Sequence, residues 1–430
     1  MHLALIMNFS ASPHTIGQWR LPRSFRGETY LDASYWERIA RTLERGCFDM
    51  LFFADSYTLH DRYQDSPDAA IRYAVQYPRL DPLPLIPMLS RVAPNLGFGV
   101  TASTTFLPPY WLARNMATID HLTDGRMGWN VVTSYSRSEA QNFGMDDIPE
   151  HDLRYDIADE YMDVCNKLWA SWEEDAIVMD REAGIYADPK KVHRINHEGK
   201  YFRSRGPLCV PRPPQGRPVI IQAGSSPRGL KFAAQHADVI FAVPNSSGGA
   251  ANHRKAINAA LKEAGRSRDD VKVIWGITPV TGESEAEVKA KREAIQANIH
   301  PEAALVLLSG HLNYDLSTWP KDRPLSELEV SGVQAFARGQ NYTAEEYARR
   351  MAEGSGNLMD GTAAQIVDRM EALYEQTEGD GFMIVTHALP SSVDDFVDLV
   401  VPELQRRGHF RKRYGARILR DRFFNERAER

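Results

Sequence analysis

Eight short apolar runs, rich in β-branched and aromatic residues, punctuate this chain at 3–8, 50–54, 96–102, 127–133, 218–223, 239–243, 271–278 and 382–385. Helical patterning lies between them. The stretch 35–45, closed by Gly46, precedes the second run, and 111–122, closed by Asp124-Gly125, precedes the fourth. A strand that is apolar on both faces must be covered on both, as a parallel sheet flanked by helices is. Eight such units predict a closed (β/α)8 TIM barrel, an α/β fold, rather than an open doubly wound sheet. The spacing is uneven, with long gaps at about 57–95, 135–217 and 279–380. These are expected to be loop insertions at the C-terminal face of the barrel, where sites form. No repeat, low-complexity tract or Pro/Gly-rich linker divides the 430 residues, so 1–430 reads as a single domain. It ends in a basic arm at 406–430, expected to be solvated and partner-covering.

Charge and cysteine usage narrow the function classes. A net charge of −6 gives no overall basic surface for nucleic acid. Cys47, Cys165 and Cys209 are widely spaced without a CxxC, so neither a disulfide framework nor a zinc site is signalled, and small apolar filler in a reducing compartment is expected. Residues 1–9 are apolar but lack a basic n-region and a cleavage site. No window approaches the roughly 18 apolar residues of a membrane span. A cytoplasmic protein is expected.

Several constellations could carry chemistry. Gly224-Ser225-Ser226-Pro227-Arg228-Gly229 stands between an apolar run and an amphipathic segment. Backbone N–H groups at a helix N-terminus, with two hydroxyls beside them, suit a phosphate. An ordinary N-capped turn explains the same residues, and locally the two readings stand level. Gly97-Phe98-Gly99-Val100-Thr101-Ala102 matches GxGxxA, yet it continues as strand and loop into Pro108-Pro109, so no dinucleotide site is read there. Polar residues end consecutive strands: Asp55 and Ser56, then Thr101, Ser103 and Thr104, then Asn130, Thr133 and Ser134. On a barrel that edge is the active face. His193 and His197 lie in a hairpin pattern without a partner at metal-ligand spacing. His14, His121, His151 and His311 each read alone as packing or surface groups. No GxSxG elbow or HExxH motif is present.

The longest blocks carry a family resemblance. They are Ala40 to Gly46 with Phe48-Asp49 and Ala54-Asp55, Pro108 to Arg114, Ala117 to Leu122, Gly128-Trp-Asn-Val-Val-Thr-Ser134, Asn142-Phe-Gly144, His151 to Tyr155, Leu168 to Trp172, Gln222-Ala-Gly-Ser-Ser226 and Val401 to Gln405. In this order, over nearly the whole chain, they resemble the nitrilotriacetate monooxygenase component A and dibenzothiophene sulfone monooxygenase group of the luciferase-like flavin monooxygenases. The resemblance implies a barrel of the bacterial-luciferase type. It also implies the oxygenase component of a two-component system, using reduced FMN (FMNH2) and O2 as co-substrate through a flavin (hydro)peroxide. A separate NAD(P)H:flavin reductase would supply the flavin, and the chain would form a homo-oligomer, a dimer or tetramer. By matching position, Asp55 and Thr101 would contact the flavin ring, and Ser134, His151, Tyr155, Ser225 and Ser226 its ribityl phosphate end. His311 would be the catalytic histidine, with His14 as a second, and Phe52 and Phe241 would wall the substrate pocket. The substrate is left between an organosulfur compound (sulfone or thioether) and an aminopolycarboxylate. The sequence departs from the family pattern at 312–314 and matches it weakly at 336–357. A deazaflavin (F420)-dependent or other flavin-dependent dehydrogenase on the same barrel stays open as the alternative.

Overall fold

The computed structural model describes residues 1–12, 14–22, 24, 30–243, 247–330, 341–354 and 357–425. Its eight barrel strands are β1 (His2–Met7), β2 (Met50–Phe53), β3 (Gly97–Ser103), β4 (Met127–Val132), β5 (Val219–Gln222), β6 (Val239–Ala242), β7 (Lys272–Thr281) and β8 (Gly381–Val385). Each coincides with one of the apolar runs. All pair in parallel with their neighbours, and β8 returns to β1, so the barrel is closed. A further strand, Asn357–Gly361, lies along the outer half of β7, with Ile277 opposite Asn357 and Thr281 opposite Gly361.

Alternation along each strand makes two apolar layers. Ala4, Ile6, Met50, Phe52, Val219, Ile221, Ile274 and Met383 fill the interior, while Leu5, Leu51, Phe53, Trp129, Ile220, Trp275 and Ile384 face the helices. The glycines of the rejected GxGxxA pattern belong to this packing. A Cβ on Gly99 would lie 2.8 Å from the Met50 sulfur, and one on Gly97 2.7 Å from the Asp49 carbonyl oxygen.

The long gaps contain more of the barrel than the sequence suggested. Ile86–Val92, His151–Trp169 and Ala363–Thr377 are themselves covering helices, completing the ring with Ala33–Arg45, Pro109–Leu122, Pro227–His236, Ser247–Glu263 and the helical run 391–406. What remains gathers into a cap with its own core. Ile16 from the loop after β1, Ala69, Ala70 and Val75 from the segment after β2, and Leu307, Leu308, Leu312, Leu325 and Ala348 from the segment after β7 pack together, apart from the barrel core. Because these segments follow strands, the cap sits over the C-terminal mouth. Part of the weakly matching stretch, 336–340 and 355–356, lies outside the described residues.

The C-terminal arm overturns the solvated reading. Leu419–Phe424 is a helix whose Leu419 and Phe423 are buried with the interior barrel residues. The Arg422 side chain is fully buried, donating to the carbonyls of Asp49 and Asn95 at 3.1 and 2.6 Å. The arm therefore plugs the bottom of the barrel, and Gly97 leaves room for Leu419. Its last residues, 426–430, lie outside the described residues. Among the described residues, no helix is long and apolar enough to cross a membrane.

Candidate active site

The turn after β5 is built around missing side chains. Ser226 caps the helix Pro227–His236, its hydroxyl accepting from Gly229 N at 3.0 Å. Gly224 N donates to the Gln222 amide oxygen at 2.7 Å. A Cβ on Gly224 or Gly229 would stand 2.9 or 2.8 Å from the Tyr155 hydroxyl oxygen. Glycine thus lets a phenol approach the first N–H groups of a helix. Tyr155 and His151 share the first turn of His151–Trp169, and the His151 Nε2 lies 3.4 Å from the Ser226 hydroxyl. Burial pushes the Tyr155 phenol above its ordinary value, keeping it a neutral donor. Ser225 is exposed beside Ser226. Arg228 is tied to Asp156 and Asp159, and its Nη1 is buried without a partner. The Ser226 hydroxyl, a phenol, an imidazole and a helix N-terminus converge, with Ser225 exposed beside them, on a space suited to a phosphate.

The strand ends beside this loop are polar, as expected, and linked to each other. Thr101 donates to the Phe53 carbonyl at 3.0 Å and accepts from the Asn130 amide at 2.9 Å. The Ser134 hydroxyl lies 3.0 Å from that of Ser103, on a backbone with φ of 52°. Asp55 accepts from Ser56 N at 2.9 Å and faces Arg79 at 3.6 Å. Burial raises its carboxyl to about 7, the Arg79 charge opposing that rise. Phe52 and Phe241 lie inside the barrel with ring centroids 6.4 Å apart, forming a floor beneath the mouth.

Across the mouth stand the imidazoles. His311 is in the last turn of the cap helix Pro301–Leu312. Its Nδ1 lies 2.8 Å from the Leu307 carbonyl oxygen, which can only accept. Nδ1 therefore carries the proton, and Nε2 presents a lone pair. His311 and Tyr135 are solvent-accessible yet ringed by protein, as side chains lining a deep open mouth are. His60 is 6.0 Å from His311, ring centre to ring centre. Burial, with the charges of Arg79 and His311 adding to it, drives both His14 and His60 down to about 3, so both are neutral imidazoles at pH 7. The same causes, burial first and then Arg79, lower His311 despite its bond to Leu307.

Sequence reasoning passed over His60, Tyr77 and Arg79, which sit in the segment after β2 without a motif around them. It also passed over Asn8 at the end of β1. The buried polar atoms without partners include both amide atoms of Asn8, Nε2 of His14 and His60, Nε of Arg79, Oδ1 of Asn130 and the Thr386 hydroxyl, a signal that finds Asn8, His60 and Arg79 but not Tyr77, whose hydroxyl lies 2.7 Å from that of Ser56. Buried polar atoms are ordinarily paired. Grouped at strand ends and in the loops that follow them, these atoms fit a polar ligand in the mouth. His193 and His197 instead pair with Glu173 and Glu160. Cys209 is exposed, unlike the buried Cys47 and Cys165, and is not core filler. A cavity of about 330 Å³ lies elsewhere, between the helices Glu285–Ala297 and Ser391–Asp395. It has none of the phosphate-loop groups, so its size does not make it the site.

Residues 10–381 match the family model described as luciferase-like monooxygenase. The chain is 40% identical over 436 residues to dibenzothiophene-sulfone monooxygenase of Rhodococcus erythropolis (strain XP), covering 98% of this chain and 96% of the relative. It is likewise 40% identical to nitrilotriacetate monooxygenase component A of Aminobacter aminovorans, covering 98% and 95%. A crystal structure of a long-chain alkane monooxygenase superposes with a TM-score of 0.93 at 39% identity, over 99% of this chain and 96% of that one. A crystal structure of riboflavin lyase with modified FMN and riboflavin superposes with a TM-score of 0.92 at 34% identity, over 100% and 96%.

Proposed function

This chain belongs to the luciferase-like monooxygenases, and on that premise we propose that it is the oxygenase component of a two-component system that takes reduced FMN from a separate flavin reductase. The observation that carries the reading is the continuity of two features. The phosphate-shaped turn at Ser225-Ser226 opens directly onto a mouth of unpartnered polar atoms roofed by a separate cap. A relative carrying modified FMN on the same barrel supports the choice of flavin. A relative named as component A supports a partner component.

The chemistry supplied by reduced FMN when bound is the two-electron activation of O2, one oxygen atom passing to the substrate and the other leaving as water. Every other task belongs to side chains. Ser225, Ser226, Tyr155 and His151 hold the phosphate. Asp55, Thr101 and Asn130 meet the polar edge of the ring. The cap built on Leu307, Leu308 and Leu312 keeps bulk water from the mouth. His311, its Nδ1 proton committed to Leu307, offers Nε2 as the proton acceptor and then the donor. His14, neutral and with Nε2 unpaired, is the second candidate for that role. The substrate is a small organic molecule, an organosulfur compound or an aminopolycarboxylate.

Anaerobic titration with reduced FMN tests the first half of the reading. Wild type should bind, and the double change Ser225→Ala with Ser226→Ala should weaken binding about tenfold or more. Turnover with a generic flavin reductase and isotopically labelled O2 tests the second. One labelled atom should appear in the product formed from a sulfone, thioether or aminopolycarboxylate substrate. Absence of any affinity for reduced FMN would remove the proposal.

A further inference from the structure

We infer that Arg79 is a substrate-recognition residue, and that the substrate carries an anionic group, a carboxylate or an oxygen acid of sulfur, which docks on the open edge of the Arg79 guanidinium. The inference rests on the oxygenase reading above and names the class of substrate within it.

Arg79 is a cation set deep in the mouth. Its side chain is only 8% exposed. The guanidinium lies 4.7 Å over the Tyr77 ring, which fixes its plane. Nη1 donates to the Ser56 hydroxyl at 3.1 Å and stands 3.6 Å from Asp55. Its Nε is buried without any partner. A planar fork held at one corner, with Nε unpartnered, is suited to an oxyanion.

The charges around it do not complete the fork. Two carboxylates on neighbouring segments feel Arg79, Asp55 and Glu139, and burial pushes each toward its neutral form. Glu139 already accepts from Tyr57 N at 2.9 Å. The imidazoles of His14, His60 and His311 face the same cation from the loop after β1, the segment after β2 and the cap helix, and bring no negative charge. A buried cation so weakly compensated favours an anion from outside.

The cleft that adjoins Arg79's partners is polar and small. Its described lining includes Arg79's own partners Ser56 and Tyr77, together with His60, Arg62, Tyr135 and Asn313, and two carboxylates that already accept bonds, Asp61 from the Ser138 hydroxyl and Glu139 from Tyr57 N; Arg79 itself stands behind these partners. Leu59 is the one aliphatic side chain among the described lining residues, so the cleft does not suit an alkyl chain. At about 30 Å³ it admits no more than a small polar head group.

The test is a binding measurement, separate from turnover. FMN-loaded protein is titrated calorimetrically with two charge-differing pairs of similar shape: (methylthio)acetate against (methylthio)acetamide, and methanesulfonate against dimethyl sulfone. The anionic member of at least one pair should bind about tenfold tighter or better. Arg79→Met should abolish that preference while leaving FMN affinity in place, and Arg79→Lys should keep part of it. The same titrations on flavin-free protein separate failure of this inference from failure of the flavin reading. Equal binding of charged and neutral members in wild type would overturn it. So would a preference that survives in Arg79→Met, or an Arg79→Met protein that loses only its discrimination between reduced and oxidised FMN.

Discussion

The Leu307 carbonyl decides what His311 can do. An oxygen that can only accept forces the proton onto Nδ1, and the reactive lone pair onto Nε2. His311→Ala should therefore keep FMN affinity and lose about a hundredfold or more in turnover, read by anaerobic titration beside oxygen uptake. Unchanged oxygen uptake would transfer the role to His14 or His60. The buried imidazoles also set a pH dependence. Unfolded, His60 takes a proton near its ordinary 6.5, whereas folded it takes one only near 3. Between those values the unfolded chain holds more protons, so stability rises with pH across the window and levels off above it. Asp55 works the other way. Its folded value near 7 lies above its ordinary 3.8, so the folded state holds more protons there and its contribution falls as pH rises. Urea midpoints measured from pH 3 to 6.5 should climb in wild type and climb less steeply in His60→Asn. An identical slope would mean that His60 is protonated in the folded protein. At this scale legibility was uneven. Ser226 and Tyr155 sit in blocks with a recognisable shape, strand–turn–helix and helix start. Arg79 and His60 are single residues in a loop, and only the fold brings them to the mouth.

Elements were legible where burial dictates composition. Strands covered on both faces must be apolar, and all eight barrel strands announce themselves that way. The covering helix Ile86–Val92 did not, because it is short and carries Pro87 in its first turn, which tempts a loop reading. The C-terminal arm misled for a different reason. Arginines dominate it, but Leu419 and Phe423 lie four apart on one helix face and Arg422 is satisfied by backbone carbonyls rather than water. Leu419→Ala should destabilise the barrel by about 2–5 kcal/mol, the usual loss for a buried leucine in a site that cannot collapse. Since the plug lies at the N-terminal end of the strands, reduced-FMN affinity in native conditions should stay the same. Urea unfolding together with flavin titration checks both halves. A stability change below about 1 kcal/mol would mean that the arm is not part of the folded core.

The molecule's principal hydrophobic cores are that of the barrel and that of the cap, joined by loops. The barrel core is laced by eight continuous parallel ladders, and opening it requires breaking several at once. The cap core is small, is contributed by three separate loops, and rests on helix packing around Leu307, Leu312 and Ala348, without a strand ladder through it among the described residues. Regions with fewer buried contacts open at lower free energy than the global transition. Amide exchange in Pro301–Leu312 and Ala344–Ala352 should therefore be faster than in β1, β2 and β8, and it should report cap opening rather than unfolding. On the proposed function the cap seals an occupied mouth, and it should then respond to the occupant. Reduced FMN should slow exchange in Pro301–Leu312 while leaving the barrel strands unchanged, because His311 on that helix faces the mouth. If the cap and the strands exchange together at the global rate, the two cores are one cooperative unit. Water exclusion would then have to come from a permanently closed mouth rather than from a moving one.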